Sequence, residues 1–455
     1  MKNLTLEHIA EACDGQYYGD EDKKQQCITS VTTDSRMVET GALFVPIVGA
    51  RADGHDFIEA VMEAGALCTL SEVKLGRVDF PYIKVKSTLQ AVKDLAEYYL
   101  EQLDIPVVGI TGSVGKTSTK EMIAAVLEQK YQVLKTQGNF NNELGLPLTV
   151  FRLRESDEVA VLEMGISDFG EMSRLAKIAK PDITVITNIG TCHLENLEDR
   201  NGVLKAKTEV FDYMKSDGIT ILNGDDDKLN TIEEVHGKVP VFFGKGEQNT
   251  YCATDIVNRG MNGTICQIHT PSGEFAATIQ IPGEHMVMNA LAAAAIGERL
   301  GLTKEQIAKG IASCEALGGR NHIIRANGLT VLDDCYNANP MSMRSGIDVL
   351  ANTQGRKVAI LGDMGELGSD ERKLHYEVGV YLEKADIDLL IAVGPLAKEM
   401  VFGAKSINTD NKIQYYQTKE DLINSLDEII EPGDSILVKA SHFMGFDEIV
   451  QVLTK

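Results

Sequence analysis

The sequence predicts an α/β protein of three domains: a small N-terminal α/β domain, a central P-loop mononucleotide-binding domain with a parallel sheet, and a C-terminal Rossmann-like domain. Three observations predict it. Short apolar, β-branched runs alternate with helical patterns along the whole chain, which is the mark of α/β units. At 455 residues the chain is too long for one core. One apolar run, "VVGI" from Val107, leads straight into "TGSVGKTS", a glycine-bearing turn that opens a helix.

The first domain is expected over 1–103. "MKNLTLEHIAEACDG" reads as an amphipathic helix and has no signal-peptide core. "GALFVPIVG", the helical "DFIEAVMEAGA" and the short strands "CTLSE" and "YIKVK" follow, with no phosphate loop among them. The second domain is expected over 104–317. Its runs "VVGI", "VAVLEMG", "ITVITNIG" and "GITILNGDDD" are apolar on consecutive residues, as in a parallel sheet covered on both faces. "TICQIHT-PSGE-FAATIQI" alternates around a Pro-Ser-Gly-Glu turn and reads as a hairpin, followed by the Ala-rich helix "HMVMNALAAAAIGERLG". The third domain is expected over 318–455, with strands "LTVLDD", "KVAILGD", "DLLIAVG" and "DSILVKA" separated by helices.

Composition narrows the partners. Lys+Arg 44 against Asp+Glu 67 leaves a net charge of −23, which argues against a nucleic acid held by phosphate neutralisation. It does not forbid an anionic small substrate, because a local cluster of cations overrides the global field. The eight cysteines form no C-x-x-C pair, which fits reduced thiols better than a disulfide framework or a zinc site. No apolar run is long enough to span a bilayer. The expectation is a cytoplasmic monomer acting on small molecules, with no membrane insertion.

The phosphate loop departs from G-x-x-x-x-G-K-[ST]. That spacing would put the first glycine at 110, which is Ile110; it comes two residues later, at Gly112. The chemistry still suits an NTP. Gly112, Ser113, Val114, Gly115 and Ser118 line the turn, Lys116 reaches the β/γ-phosphates, and the Thr117 hydroxyl joins Mg²⁺. Ligands of open α/β sheets sit at the carboxyl ends of strands. There Glu163 offers an oxygen and His193 an imidazole nitrogen to a metal, although a lone histidine in a loop is as often plain polar surface. Lys207, in "LKAKTEVFDYM", reads from the residues alone as a surface lysine beside Glu209. "NFNNELGLP" is either a plain turn or a loop whose amides donate to phosphate or sugar oxygens. Arg320, entering a new domain, can reach back to a γ-phosphate. Asp334, at a strand end, can hold a ribose or a metal-bound water, whereas Asn-x-Asn-Pro at Asn337, Asn339 and Pro340 alone marks only a turn.

Taken together, these stretches resemble the Mur ligase family, the ATP-dependent amide-bond synthetases of peptidoglycan precursor assembly. The late-glycine loop is similar to that family's T-G-[ST]-x-G-K-T-[ST]. "TTDSRMVETGALFVPIVGARADGHDFI", "GNFNNELGLPLT", "EMGISDFGEMSRLAKIAKPDITVITNIGTCHLENL" and "DDCYNANPMSM" resemble family stretches in the same order, end to end. The last is the most selective: the D-Y-A-H-T-P and D-N-P-R stretches of the ligase that adds the third amino acid are absent. The resemblance implies a ligase that joins D-alanyl-D-alanine to UDP-N-acetylmuramoyl-tripeptide through an acyl phosphate, using ATP and two Mg²⁺ ions. It leaves the third residue of the tripeptide open.

By the same resemblance, Thr117, Glu163, His193 and Lys207 are metal ligands, Lys207 as a carbamate. Lys116, Asn289 (with His285 nearby), Arg320, Asp334 and Asn337 contact ATP, and Ser35, Arg36 and Asn142 contact the UDP substrate. The terminal "VKASHFMGFDEIV" departs from the family's V-K-G-S-R-x-M-x-M-E at Ala440, His442, Gly445 and Asp447, and no role is assigned to His442. Pro46 also stands where a small residue is common. Domain closure is implied too, with an open form in which Arg320 is far from the loop. The nearest alternative is another ligase of the same family, such as a folylpolyglutamate synthase or the third-amino-acid ligase, which "DDCYNANP" and the first domain disfavour. A nucleotide switch without ligation and a module that has lost catalysis are the others. Lys116, Glu163, His193 and Lys207 together speak against the last.

Overall fold

The computed structural model describes residues 1–49, 52–407 and 412–455; Ala50 and Arg51, inside the quoted stretch 32–58, lie outside the described residues. Three sheets follow one another along the chain. The first has five strands in the order Gln16–Tyr18, Tyr82–Lys84, Cys68–Ser71, Leu43–Phe44, Val31–Thr32, parallel except for the first pair. The expected opening helix is Leu6–Ala12. Thr5 caps it, its hydroxyl accepting from the His8 N–H, and Leu6, Ile9 and Ala10 are buried at helical spacing.

Helix Thr88–Leu103 ties this unit to the next. It buries Val92, Leu95, Ala96 and Tyr99 on the face that joins the core beneath the central sheet. The Tyr99 hydroxyl donates to the Leu153 carbonyl at 2.7 Å. The UDP-type domain of the expectation is thus continuous in packing with the loop-bearing unit.

The central sheet has nine strands, in the order Gly273–Ile279, Thr264–Thr270, Tyr251–Asn258, Val241–Gly244, Ile219–Asn223, Ile183–Ile186, Val107–Thr111, Val159–Glu163, Val133–Lys135. The seven from Tyr251–Asn258 to Val133–Lys135 are parallel, and the other two add an antiparallel hairpin. The hairpin turn is tighter than expected. Thr270 pairs with Gly273, so only Pro271 and Ser272 lie between the strands. The chain crosses from Val159–Glu163 on one side of Val107–Thr111 to Ile183–Ile186 on the other. A crevice therefore opens at the carboxyl end of the strand that feeds the phosphate loop.

Helix Lys116–Leu127 runs from that loop and packs between Met286–Arg299 and Lys304–Ser313. Alanines and glycines make the close approach possible. A Cβ on Gly310 would lie 2.4 Å from the Val126 Cα.

The third sheet runs His322–Ala326, Leu329–Asp333, Ser435–Lys439, Lys357–Gly362, Leu389–Val393, Lys412–Tyr416, parallel apart from the first pair. Among the described residues, most strands absent from the sequence reading, Gln16–Tyr18, Val31–Thr32, Val133–Lys135, His322–Ala326 and Lys412–Tyr416, are sheet edges, whereas Val241–Gly244 and Tyr251–Asn258 lie inside the central sheet and were missed as well. Edge strands are half wet and lack the continuous apolar run that betrays a central strand. All eight cysteines are free. No helix among the described residues is long and apolar enough to cross a membrane.

Candidate active site

The late glycine has a tertiary cause. At Gly112 φ is +146°, and a Cβ would lie 1.9 Å from Thr187 Oγ1. The end of the neighbouring strand occupies the space that any side chain at 112 would need. The loop crest is then tied to that strand end. Thr187 Oγ1 donates to the Val114 carbonyl at 2.7 Å. The Asn188 amide both donates to that carbonyl and accepts from the Val114 N–H, each at 2.9 Å. Ser113 N–H donates to Asn188 O, and Ser113 Oγ accepts from Gly190 N–H. Gly115, at φ +84°, starts helix Lys116–Leu127, whose N-terminus faces the crevice. Lys116 Nζ folds back onto the Gly112 carbonyl at 2.8 Å, with no carboxylate partner among the described residues. Thr117 is buried directly below.

Glu163 ends its strand almost wholly buried. Its Oε1 accepts from Asn141 Nδ2 at 2.8 Å, while Oε2 has no hydrogen-bond donor among the described residues. A cation stands beyond it, for Lys120 Nζ lies 3.9 Å from Oε2. Lys120 is fully buried and donates to the Thr136 carbonyl at 2.6 Å. A carboxylate oxygen without a donor among the described residues, on a residue that lines a polar cleft, is suited to a hard cation.

Lys207 is not the surface lysine that its neighbours suggest. It is 1% exposed on helix Arg200–Thr208, and its ammonium makes no hydrogen bond or ion pair among the described residues. Glu209 turns elsewhere and accepts from the N–H groups of Gly170 and Ser173. Burial drives the Lys207 pKa down to about 8; Cys192 raises it slightly and repulsion from Lys116 lowers it further.

A cavity of about 350 Å³ brings these groups to the third unit. On the central side it is lined by 113–118, Asn139, Asn141, Asn142, Glu163, His193, His285 and Asn289. Across it stand Arg320, Asn321, Asp334, Tyr336, Asn337 and Lys439. The open form with Arg320 remote from the loop is therefore not the one observed. The Arg320 guanidinium lies over the Tyr336 ring, 3.9 Å from its centroid, and has no acidic partner among the described residues. Asp334 is already engaged. Its carboxylate accepts from Lys439 Nζ at 2.5 Å and from the Asn321 N–H at 3.2 Å. Lys439 also donates to the Asn337 carbonyl, fixing that turn.

Asn289 Oδ1 accepts from Thr119 Oγ1 at 3.0 Å. His285 is 3.2 Å from Asn321 Nδ2, and burial lowers its pKa. Asn142 lines the cavity, its Oδ1 accepting from the Leu144 and Gly145 N–H groups. Ser35, Arg36 and Lys207 do not line it. Arg36 forms a two-point pair with Asp34, which holds the Asp34 carboxyl down to about 2. His442 tilts against Tyr336 at 5.4 Å and is not part of the cavity wall.

Sequence reasoning missed Lys120, Asn141, Thr187, Asn188, Tyr336 and Lys439. Asn141 sat inside a quoted loop and Asn188 near the end of the quoted strand run "ITVITNIG", but nothing local said which amide faces Glu163 or the loop crest. Lys439 was legible only as the last residue of a strand.

A phosphate loop at the switch point of a parallel sheet, facing a second nucleotide-type sheet across a polar cleft, defines a nucleotide-dependent enzyme that works between domains. The chain belongs to the Mur ligase family. The model described as "Mur ligase family, catalytic domain" matches 27–100, "Mur ligase middle domain" matches 110–297, and "Mur ligase, glutamate ligase domain" matches 319–442. The UDP-N-acetylmuramoyl-tripeptide–D-alanyl-D-alanine ligase of Bacillus subtilis is 39% identical, covering 100% of this chain and 99% of its own. That of Escherichia coli is 35% identical with the same coverage. Among solved structures, MurF from Acinetobacter baumannii superposes with a TM-score of 0.90 at 32% identity, covering 99% of this chain and 98% of that one. MurF ligase from Thermotoga maritima in complex with ADP gives 0.83 at 30% identity, covering 93% and 96%.

Proposed function

We propose that this chain is an ATP-dependent, ADP-forming ligase that joins D-alanyl-D-alanine to UDP-N-acetylmuramoyl-tripeptide in peptidoglycan precursor synthesis. The observation that carries it is the shared cavity in which the phosphate loop and Glu163 face Arg320 and the Asp334–Lys439 pair. The full-length likeness to the Bacillus subtilis and Escherichia coli ligases supports the choice of substrates.

The chemical problem is to bring a carboxylate up to a triphosphate, anion against anion. The N-terminus of helix Lys116–Leu127 and the Lys116 ammonium hold the phosphates, and Arg320 offers a further cation from the far wall. When bound, Mg²⁺, proposed as two ions, would supply further charge neutralisation. Thr117, Glu163 and His193 would hold it. The undonated Glu163 Oε2 supports that fit, as does the absence of any protein partner on the second ring nitrogen of His193 among the described residues. Lys207 in its neutral form would add CO₂, its nitrogen forming the C–N bond and releasing a proton to solvent, to become a carbamate; a buried cation would give way to an anion able to ligate metal. Its depressed pKa supports that step.

The substrate carboxylate attacks the γ-phosphorus, ADP leaves, and the dipeptide amine displaces phosphate from the acyl phosphate. The two facing walls shield that intermediate from water. The division of labour follows the proposed boundaries: 1–103, with Ser35 and Arg36, for the uridine nucleotide; 104–317 for ATP; 318–455 for closure and the dipeptide. We take the protein to be a cytoplasmic monomer with no nucleic-acid partner.

The test is phosphate release from ATP and Mg²⁺ with UDP-N-acetylmuramoyl-tripeptide, with and without D-alanyl-D-alanine, together with the product mass. Release that needs both substrates and yields the pentapeptide is expected. Release with UDP-dipeptide and a single amino acid instead would reassign the substrates.

A further inference from the structure

One residue that no comparison assigns reaches the site from the third unit. Glu366 follows strand Lys357–Gly362, and its Oε2 lies 2.8 Å from His193 Nδ1. The two side chains come from different sheets, so the pair exists only when the units are together. Both residues hold left-handed backbone, with φ of +52° at His193 and +60° at Glu366. For side chains other than glycine that conformation is costly and persists where surrounding contacts impose it.

The pair sits against like charges. Glu195 and Glu198 from the central unit share a cavity wall with Asp370 and Glu371 from the third. Their mutual repulsion opposes approach, and the His193–Glu366 contact is an attractive one at the same edge. It also fixes chemistry. With Nδ1–H donating to the carboxylate, the imidazole carries its lone pair on Nε2, which has no protein partner among the described residues, on a residue that lines the cavity.

We propose that Glu366 is a positioning residue: on closure it takes His193 Nδ1, locking the ring and tautomer so that Nε2 is presented to a cation in the cleft. The role rests on the reading of His193 as a metal-facing group, not on the identity of the amino acids joined. It makes closure and metal binding interdependent, because the third unit supplies the outer partner of a ligand carried by the second.

The test uses the full chain with ADP, with Mn²⁺ as the probe. Mn²⁺ affinity is read by electron paramagnetic resonance, and compaction on adding Mn²⁺–ADP by small-angle X-ray scattering. Glu366→Ala is expected to weaken Mn²⁺ by about 10-fold, to leave the protein less compact, and to lower kcat more than it raises KM for ATP. Glu366→Gln, whose amide oxygen still accepts from Nδ1–H, should recover most of the affinity. Mn²⁺ affinity and scattering of Glu366→Ala indistinguishable from wild type would overturn the proposal, as would a wild-type chain that binds no Mn²⁺ with ADP. If the Mn²⁺ and scattering differences hold but no dipeptide-dependent phosphate release occurs, the positioning role stands and the ligase reading fails.

Discussion

Replacing Lys207 by methionine tests the central oddity of the site, a buried ammonium without a counter-ion among the described residues. In metal-free, CO₂-free buffer at pH 7 the amine is protonated in both folded and unfolded chains. The gap between 10.5 and about 8 then corresponds to a destabilisation of about 3 kcal/mol. Between those two values the unfolded chain binds the proton and the folded one does not. Stability should therefore rise as the pH climbs through about 8 towards 10.5. Methionine has a similar length and no charge. Lys207→Met should gain roughly 2–3 kcal/mol at pH 7 and about 1 kcal/mol at pH 9.5, while losing ligase activity. Urea unfolding of both proteins at the two pH values reads the gain. Adding ¹³C-bicarbonate near pH 8 should stabilise wild type alone and give it a carbamate carbon signal by NMR. A methionine variant less stable than wild type at pH 7, or a wild type with no carbamate signal, would refute the reasoning.

Gly112→Ala forces a Cβ onto Thr187 Oγ1. It should cost about 1–3 kcal/mol of stability and displace the loop crest, so that calorimetry finds ADP bound at least about 10-fold more weakly. Glu163→Gln keeps the acceptor for Asn141 and discards the undonated oxygen charge. Lys120 keeps its closer ion pair with Glu121 at 2.9 Å, so thermal unfolding should move little, while substrate-dependent phosphate release falls by about 100-fold or more. Lys439→Met strands the Asp334 carboxylate in a mostly buried position. Scanning calorimetry should show the third unit destabilised by about 3–5 kcal/mol, and the double change with Asp334→Asn should recover much of that loss.

Much of the fold was legible because it is written locally. Central strands of a parallel sheet are covered on both faces and so appear as unbroken apolar runs, as in Val159–Glu163 and Leu389–Val393. The helix start at Lys116 and the carboxylate at Glu163 follow from strand ends, where a short motif and its neighbours suffice. Edge strands such as Lys412–Tyr416, with one side wet, left no such trace. Within the site, residue types were legible and their states were not. Lys207 and Lys205 stand two residues apart in "LKAKT", yet only Lys207 is buried, since the helix turns a single face to the core.

The sequence by itself determined the order of three α/β units, the anion-binding turn at Gly112–Lys116 and the family. Each depends on neighbours in the chain: periodicity, turn chemistry, a run of motif residues. Tertiary structure alone decided why the first glycine is late, since Thr187 arrives from another strand. It alone paired Asp334 with Lys439 and His193 with Glu366, and it left Glu163 Oε2 without a donor among the described residues. Those are matters of desolvation and of distances between groups far apart in the chain. Charge state and ligand capacity are set by what packs around a group, and no local pattern encodes that.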